Sequence, residues 1–229
     1  MAYEVKIVSV REQAVKKIRE NKIIAIFRNI EVDKCVDAAK ALYAGGIRVV
    51  EVTFNQKEAD EKYYSTVESI KRISQAMDGD MCVGAGTVLT LEEVLLAYNA
   101  GARFIIMPNT DAEIIKFAGD LDMAVMPGAY TASEVNNAYN AGADFVKIFP
   151  ASMAGAKYFK ALSGPLGHIP LTAVGGVDEN NAREFLEAGA VGLGIGGNLA
   201  DKKLIAESRY DELTEIARRY INRIREDGR

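Results

Sequence analysis

Two charged residues stand inside runs that are otherwise apolar, Phe145-Val146-Lys147-Ile148-Phe149-Pro150 and Val49-Val50-Glu51-Val52-Thr53-Phe54. If Val146 and Ile148 face a helix layer, the two-residue period of a strand turns Lys147 to the opposite side. An ammonium held away from water without a partner is costly, so burial lowers its pKa. A neutral amine can attack a carbonyl carbon and form a Schiff base. The alternative is a lysine whose stem snorkels from a strand end to water. Glu51 shares parity with Val49 and Thr53, and an inward carboxylate near an amine suits a proton shuttle with a raised pKa. Its alternative is a structural ion pair with a basic residue on a neighbouring strand.

Other residues could hold a substrate beside this pair. Arg28 closes the first β-rich run, where a guanidinium either grips a carboxylate at two points or is an exposed strand-end charge. In Gly84-Ala85-Gly86-Thr87 the glycines either admit a ligand to the backbone or make room inside the fold, and the Thr87 hydroxyl could bind a carboxylate oxygen. Val174-Gly175-Gly176-Val177 and Gly192-Leu193-Gly194-Ile195-Gly196-Gly197-Asn198 end the last two runs, where tight turns alone could explain one cluster but two in these strands favour a phosphate cradle of backbone N–H groups. Pro108-Asn109, Pro127-Gly128 and Phe149-Pro150 shape the same rim, mostly as turns. His168, beside Gly167 and Pro170, falls in a loop without a role.

The elements that must position these residues follow from periodicity. Strands are expected at 22–28, 47–54, 81–86, 103–107, 122–126, 143–149, 170–174 and 190–195. Between them apolar residues recur at helical spacing, as in Val36, Ala39, Ala41 and Leu42, or Val94, Leu95 and Tyr98. Helix ends are marked by Gly45-Gly46, Gly101, Gly142 and Gly189, and helix starts by Asp111, Thr131 with Glu134, and Asp178. Eight strand–helix units with right-handed crossovers fit a (β/α)8 TIM barrel with an extra N-terminal helix near residues 10–20. Residues 1–229 form one such domain on this reading, with a charged surface helix from Asp211 to Arg229. An open doubly wound sheet would carry a glycine-rich turn after strand one, where this chain has Phe27-Arg28-Asn29.

Composition removes several classes. Of 229 residues 49% are apolar and 26% charged, which excludes disordered, collagen-like and coiled-coil chains. Lys+Arg 28 against Asp+Glu 32 leaves a net charge of −4, so neither nucleic acid nor an acidic membrane is called for. Cys35 and Cys82 fit reduced thiols, the Met1-Ala-Tyr-Glu-Val-Lys start has no secretory pattern, and one histidine leaves almost nothing for a metal site. A soluble cytoplasmic protein without a metal is expected.

The blocks Gly45-Gly46-Ile47-Arg48-Val49-Val50-Glu51-Val52-Thr53, Gly84-Ala85-Gly86-Thr87-Val88-Leu89, Pro127-Gly128, Val146-Lys147-Ile148-Phe149-Pro150 and Val174-Gly175-Gly176-Val177 resemble the family of 2-keto-3-deoxy-6-phosphogluconate and 4-hydroxy-2-oxoglutarate aldolases. The resemblance implies a class I aldolase on a trimeric barrel, with a covalent imine on Lys147 in place of a metal or other cofactor. It implies Glu51 as general acid/base, Arg28 and Thr87 at the substrate carboxylate, and a pocket of Asn55, Pro108, Asn109 and Phe149. Gly175, Gly176, Gly196 and Gly197 are implied at the phosphate. Asn55, Val174 and Gly197 depart from the phosphogluconate pattern. Arg28, Asn55, Pro108-Asn109 and Ala173-Val174-Gly175-Gly176 are similar to the branch acting on the phosphogalactonate epimer. A phosphosugar isomerase using Glu51, or a non-catalytic phosphosugar-acid binder, are the competing classes.

Overall fold

The computed structural model describes residues 8–57 and 63–225. The first residues, Met1 to Lys6, and the last four of the charged tail lie outside the described residues. All eight expected β-rich runs form strands: β1 (Ile23–Phe27), β2 (Val49–Thr53), β3 (Cys82–Gly86), β4 (Phe104–Ile106), β5 (Ala124–Met126), β7 (Val146–Ile148), β8 (Leu171–Val174) and β9 (Gly192–Ile195). The extra piece, β6 (Gly128–Ala129), continues β5 beyond Pro127. All pairings are parallel, in the order β5-β4-β3-β2-β1-β9-β8-β7-β6. The fifth barrel strand thus pairs with β4 through its first half and with β7 through its second, which closes the ring.

That split corrects the expectation of a turn at Pro127-Gly128. Proline has no N–H to give the ladder, while its carbonyl still accepts from the Lys147 N–H at 2.8 Å. A Cβ on Gly128 would lie 2.3 Å from the Pro108 carbonyl oxygen, so glycine lets the strand pass the end of β4.

The helix layer comprises α1 (Val10–Asn21), α2 (Cys35–Ala44), α3 (Tyr64–Ala76), α4 (Leu91–Ala100), α5 (Ala112–Asp120), α6 (Ala132–Asn140), α7 (Ala151–Leu166), α8 (Ala182–Glu187), α9 (Lys202–Ala206) and α10 (Tyr210–Arg225). Asp111 caps α5, and Thr131 with Glu134 boxes the start of α6. Asp178 instead accepts from the N–H groups of Asn180 and Asn181, one turn ahead of α8. Gly46, Gly101, Gly142 and Gly189 all take positive φ, which suits a residue without Cβ. In α4 the buried stripe is Val94, Ala97 and Ala100, whereas Leu95 and Tyr98 are exposed; spacing identified the helix but assigned part of its wrong face. The tail helix α10 is amphipathic, burying Leu213, Ala217, Tyr220 and Ile221 against the fold.

Alternation splits the core in two. One cluster fills the space between strands and helices. The other fills the barrel's interior with Ile24, Val49, Cys82, Phe104, Ile106, Ala124, Met126 and Phe145, joined by Ala14 and Ile18 of α1. The extra helix therefore stoppers the end of the barrel opposite the strands' C-termini. Arg11 of α1 pins it there: its Nε lies 3.0 Å from both carboxylate oxygens of Asp144, which also accepts from the Val125 N–H.

Candidate active site

Above this apolar filling, β2 and β7 each turn one ionisable side chain inward. Glu51 is 3% exposed and Lys147 6% exposed. Their outward neighbours Val50, Val52, Val146 and Ile148 belong to the strand–helix core, so the alternation expected of both strands holds. Burial pushes the Glu51 carboxyl above the usual carboxylate range, against the opposing pull of the Lys147 and Arg28 charges. Burial pushes the Lys147 amine down; Glu51 resists that change and Arg28 adds to it. The three groups therefore share one electrostatic neighbourhood, and both members of the buried pair are moved toward their neutral forms. Among the described residues no group donates to the fully buried Oε2 of Glu51. A buried acceptor without a partner is uncommon in a fold that only needs to be stable. The Lys147 Nζ lies 4.8 Å from the centroid of the Phe149 ring, and Phe149 is 40% exposed at the rim.

The glycines of β3 make room for protein side chains. A Cβ on Gly84 would fall 2.3 Å from the Phe104 ring, and one on Gly86 would fall 1.6 Å from Oε1 of Glu51. Gly86 is thus the slot into which the carboxylate fits, a role that a residue on a different strand hides from the sequence. Of the two readings open for this pair, space inside the barrel is the one the geometry favours.

Thr87 follows β3 with φ 56°. A β-branched residue in the left-handed region is a true outlier, costing on the order of 1–3 kcal/mol, and such strain gathers at functional positions. Arg28 is exposed one residue beyond β1, and Asn55 is partly exposed two beyond β2, with its Oδ1 accepting from the Lys57 N–H. Pro108 and Asn109 follow β4, and the Asn109 carbonyl accepts from the Gly128 N–H at 3.1 Å. All these residues leave the C-terminal ends of their strands and meet at one rim.

The two glycine pairs differ. Gly175 and Gly176 have φ 92° and 75°, and a Cβ would press on the Phe149 ring and on Ser152 respectively. Their backbone alone calls for glycine. Gly196 and Gly197 have neither positive φ nor any atom within 4 Å of an added Cβ. Nothing in the protein itself fills that space, which leaves bare backbone open to a ligand. Asn198 Nδ2 donates to the Val177 carbonyl at 3.3 Å, tying the two turns together. His168 stacks edge-on to Tyr139 in its loop. No grouping of three His, Cys, Asp or Glu side chains suited to a metal occurs among the described residues.

Sequence reasoning missed Glu93 and Gln56. Glu93 completes a Thr90-x-x-Glu93 capping box, is fully buried, and accepts from Gln56 as well as from its own helix start. The box was visible in sequence; the partner from another loop was not.

Comparison with known proteins agrees with this geometry. Residues 14–216 match the family described as KDPG and KHG aldolase. The chain is 31% identical over 215 residues to a 2-dehydro-3-deoxy-phosphogluconate aldolase of Haemophilus influenzae, covering 93% of this chain and 98% of that one. It is 36% identical over 178 residues to a 2-dehydro-3-deoxy-6-phosphogalactonate aldolase of Escherichia coli, covering 77% and 83%. The solved structure of a Legionella pneumophila KDPG aldolase, with pyruvate captured as a covalent carbinolamine, superposes with a TM-score of 0.80 at 25% identity, covering 90% of this chain and 97% of the other.

Proposed function

The chain belongs to the KDPG and KHG aldolase family of carbon–carbon lyases, and we propose that it cleaves a 2-keto-3-deoxy-6-phospho sugar acid of gluconate or galactonate configuration through an imine on Lys147. The supporting observation is the buried pair: an amine and a carboxyl, both driven toward neutrality by burial, at the open end of an otherwise apolar barrel.

The neutral Lys147 amine adds to the C2 ketone while Arg28 and Thr87 hold the C1 carboxylate. Neutral Glu51 protonates the departing hydroxyl, so that loss of water gives a cationic imine, which serves as an electron sink, and leaves Glu51 as a carboxylate. Glu51 takes the C4 hydroxyl proton, and its raised pKa makes it a better base for that step. The C3–C4 electron pair moves into the enamine as glyceraldehyde 3-phosphate departs. Protonation at C3 and hydrolysis then release pyruvate and restore Lys147. Asn55, Pro108, Asn109 and Phe149 wall the pocket. The backbone of Gly175, Gly176, Gly196 and Gly197 holds the phosphate away from the reacting carbons, where its binding energy positions them. No step needs a metal. The family resemblance also underlies our assignment of a homotrimer of single-barrel chains. We place it in the cytoplasm, where the buried thiols of Cys35 and Cys82 stay reduced.

Borohydride added with pyruvate tests the reading: the peptide carrying Lys147 is expected to gain the mass of a reduced pyruvyl group. An unlabelled Lys147, or turnover abolished by a chelator, would overturn it. A coupled assay offering both phosphorylated C4 epimers and 4-hydroxy-2-oxoglutarate identifies the substrate. Proton exchange without pyruvate release in that assay would indicate an isomerase instead.

A further inference from the structure

Three helices of this protein begin with the same device, a Ser or Thr cap answered by a glutamate three residues on: Ser9 with Glu12, Thr90 with Glu93, and Thr131 with Glu134. Glu12 and Glu134 are exposed, as a helix cap permits, whereas Glu93 is 0% exposed. Its Oε2 does the capping work, accepting from the N–H groups of Leu89 at 2.6 Å and Thr90 at 3.2 Å. At α6, Glu134 likewise uses one oxygen for Tyr130 and Thr131. Among the described residues only Glu93 spends its second oxygen elsewhere: Oε1 accepts from Gln56 Nε2 at 2.5 Å. The same Gln56 nitrogen donates to the Thr87 carbonyl at 3.2 Å.

The consequence concerns Thr87. Its left-handed backbone is unfavourable for a β-branched residue and needs to be held from outside. The Val88 N–H is fixed to the Ile106 carbonyl at 3.3 Å, and the Leu89 N–H to Glu93. Gln56 supplies the remaining restraint, from the loop after β2. We propose that Glu93 and Gln56 are positioning residues that link the β2 and β3 loops and hold Thr87 where it receives the substrate carboxylate. The inference rests on the reading of Thr87 as a carboxylate partner in the imine-forming site. A glutamate needed only as a helix cap would have no use for a glutamine three residues beyond the end of β2, nor for complete burial.

Gln56 is exposed and outside any helix or strand, so Gln56→Ala is expected to fold. Glu93→Gln keeps an acceptor for the helix start but sets an amide against the Gln56 amide. Lys147 labelling by borohydride is followed while the ketone is varied, using pyruvate and, as a ketone without a carboxylate, acetone. In both variants half-saturation by pyruvate is expected to rise about tenfold while that by acetone stays put, because only the carboxylate contact is weakened. Glu134→Gln, at the exposed box, should change neither. Unchanged pyruvate half-saturation in folded Gln56→Ala would overturn the inference and leave the aldolase reading intact. Equal shifts for the two ketones would overturn it as well, by placing the effect at the lysine. A wild-type protein that takes no label would overturn the aldolase reading, and this inference with it.

Discussion

Gly86→Ala isolates what the position of one carboxylate is worth. The new Cβ would lie 1.6 Å from Oε1 of Glu51, 2.3 Å from Cδ and 2.6 Å from Cγ, where ordinary contact begins at 3.4 Å. Gly86 has no positive φ, so the backbone accepts alanine, and the less flexible unfolded chain even favours it by about 0.4–1 kcal/mol. The flexible carboxylate must therefore yield, retreating by about 2 Å from the slot. A misplacement of about 1 Å can cost on the order of 100-fold in rate. We expect kcat for aldol cleavage to fall at least about 100-fold, or about 2.7 kcal/mol of transition-state stabilisation. Lys147 stands on another strand and keeps its place, so borohydride trapping of pyruvate should persist while pyruvate release in a lactate dehydrogenase-coupled assay is lost. A folded Gly86→Ala protein turning over at the wild-type rate would show that proton transfer does not depend on the carboxylate in this slot.

Lys147→Ala should lose both label and turnover, as mass spectrometry and the coupled assay would report. The double variant Glu51→Gln, Lys147→Met should be inactive yet more stable by about 1–2 kcal/mol in urea titration. Glu51 has its pKa raised on folding, so its cost to stability appears as pH rises through the folded pKa. Lys147 has its pKa lowered, so its cost is greatest at low pH and fades as pH climbs toward the ordinary lysine value. Removing Lys147 should therefore help chiefly in acid, and removing Glu51 chiefly in base; a gain independent of pH would contradict both assignments. Gly197→Val should leave Tm unchanged but raise KM for phosphorylated substrates and not for 4-hydroxy-2-oxoglutarate, because its Cβ meets nothing in the protein. Asp144→Ala leaves the Val125 N–H and the Arg11 Nε without their acceptor, while Arg11 keeps the Gly142 carbonyl. It should cost about 2–3 kcal/mol by denaturant titration with kcat nearly unchanged.

Features carried by a single strand were legible in the sequence. Lys147 and Glu51 betray themselves because strand parity turns a lone charge among valines and isoleucines toward a core, whatever lies opposite. The glycines at positive φ, such as Gly46 and Gly101, follow a helix in the sequence itself. What stayed hidden depends on partners far along the chain. The slot at Gly86 is defined by a side chain 35 positions earlier. The partner of Glu93 comes from the loop after β2, and the break in the fifth strand depends on how closely Gly128 passes Pro108. Leu95 and Tyr98 show a further limit: apolar spacing marks a helix, but which side faces inward is decided by the neighbours it packs against.

The helix that stoppers the far end of the barrel also dictates traffic. With Ala14 and Ile18 closing the bottom, the space above the apolar filling is a well with one opening, and in the proposed reaction the imine on Lys147 forms inside it, with the phosphate held at the rim. On that proposal the aldehyde fragment, nearer the exit, leaves first, while the three-carbon fragment stays tethered until hydrolysis frees it. Run in reverse, such a well fills in the opposite order, with pyruvate entering an empty chamber before any aldehyde can close over it.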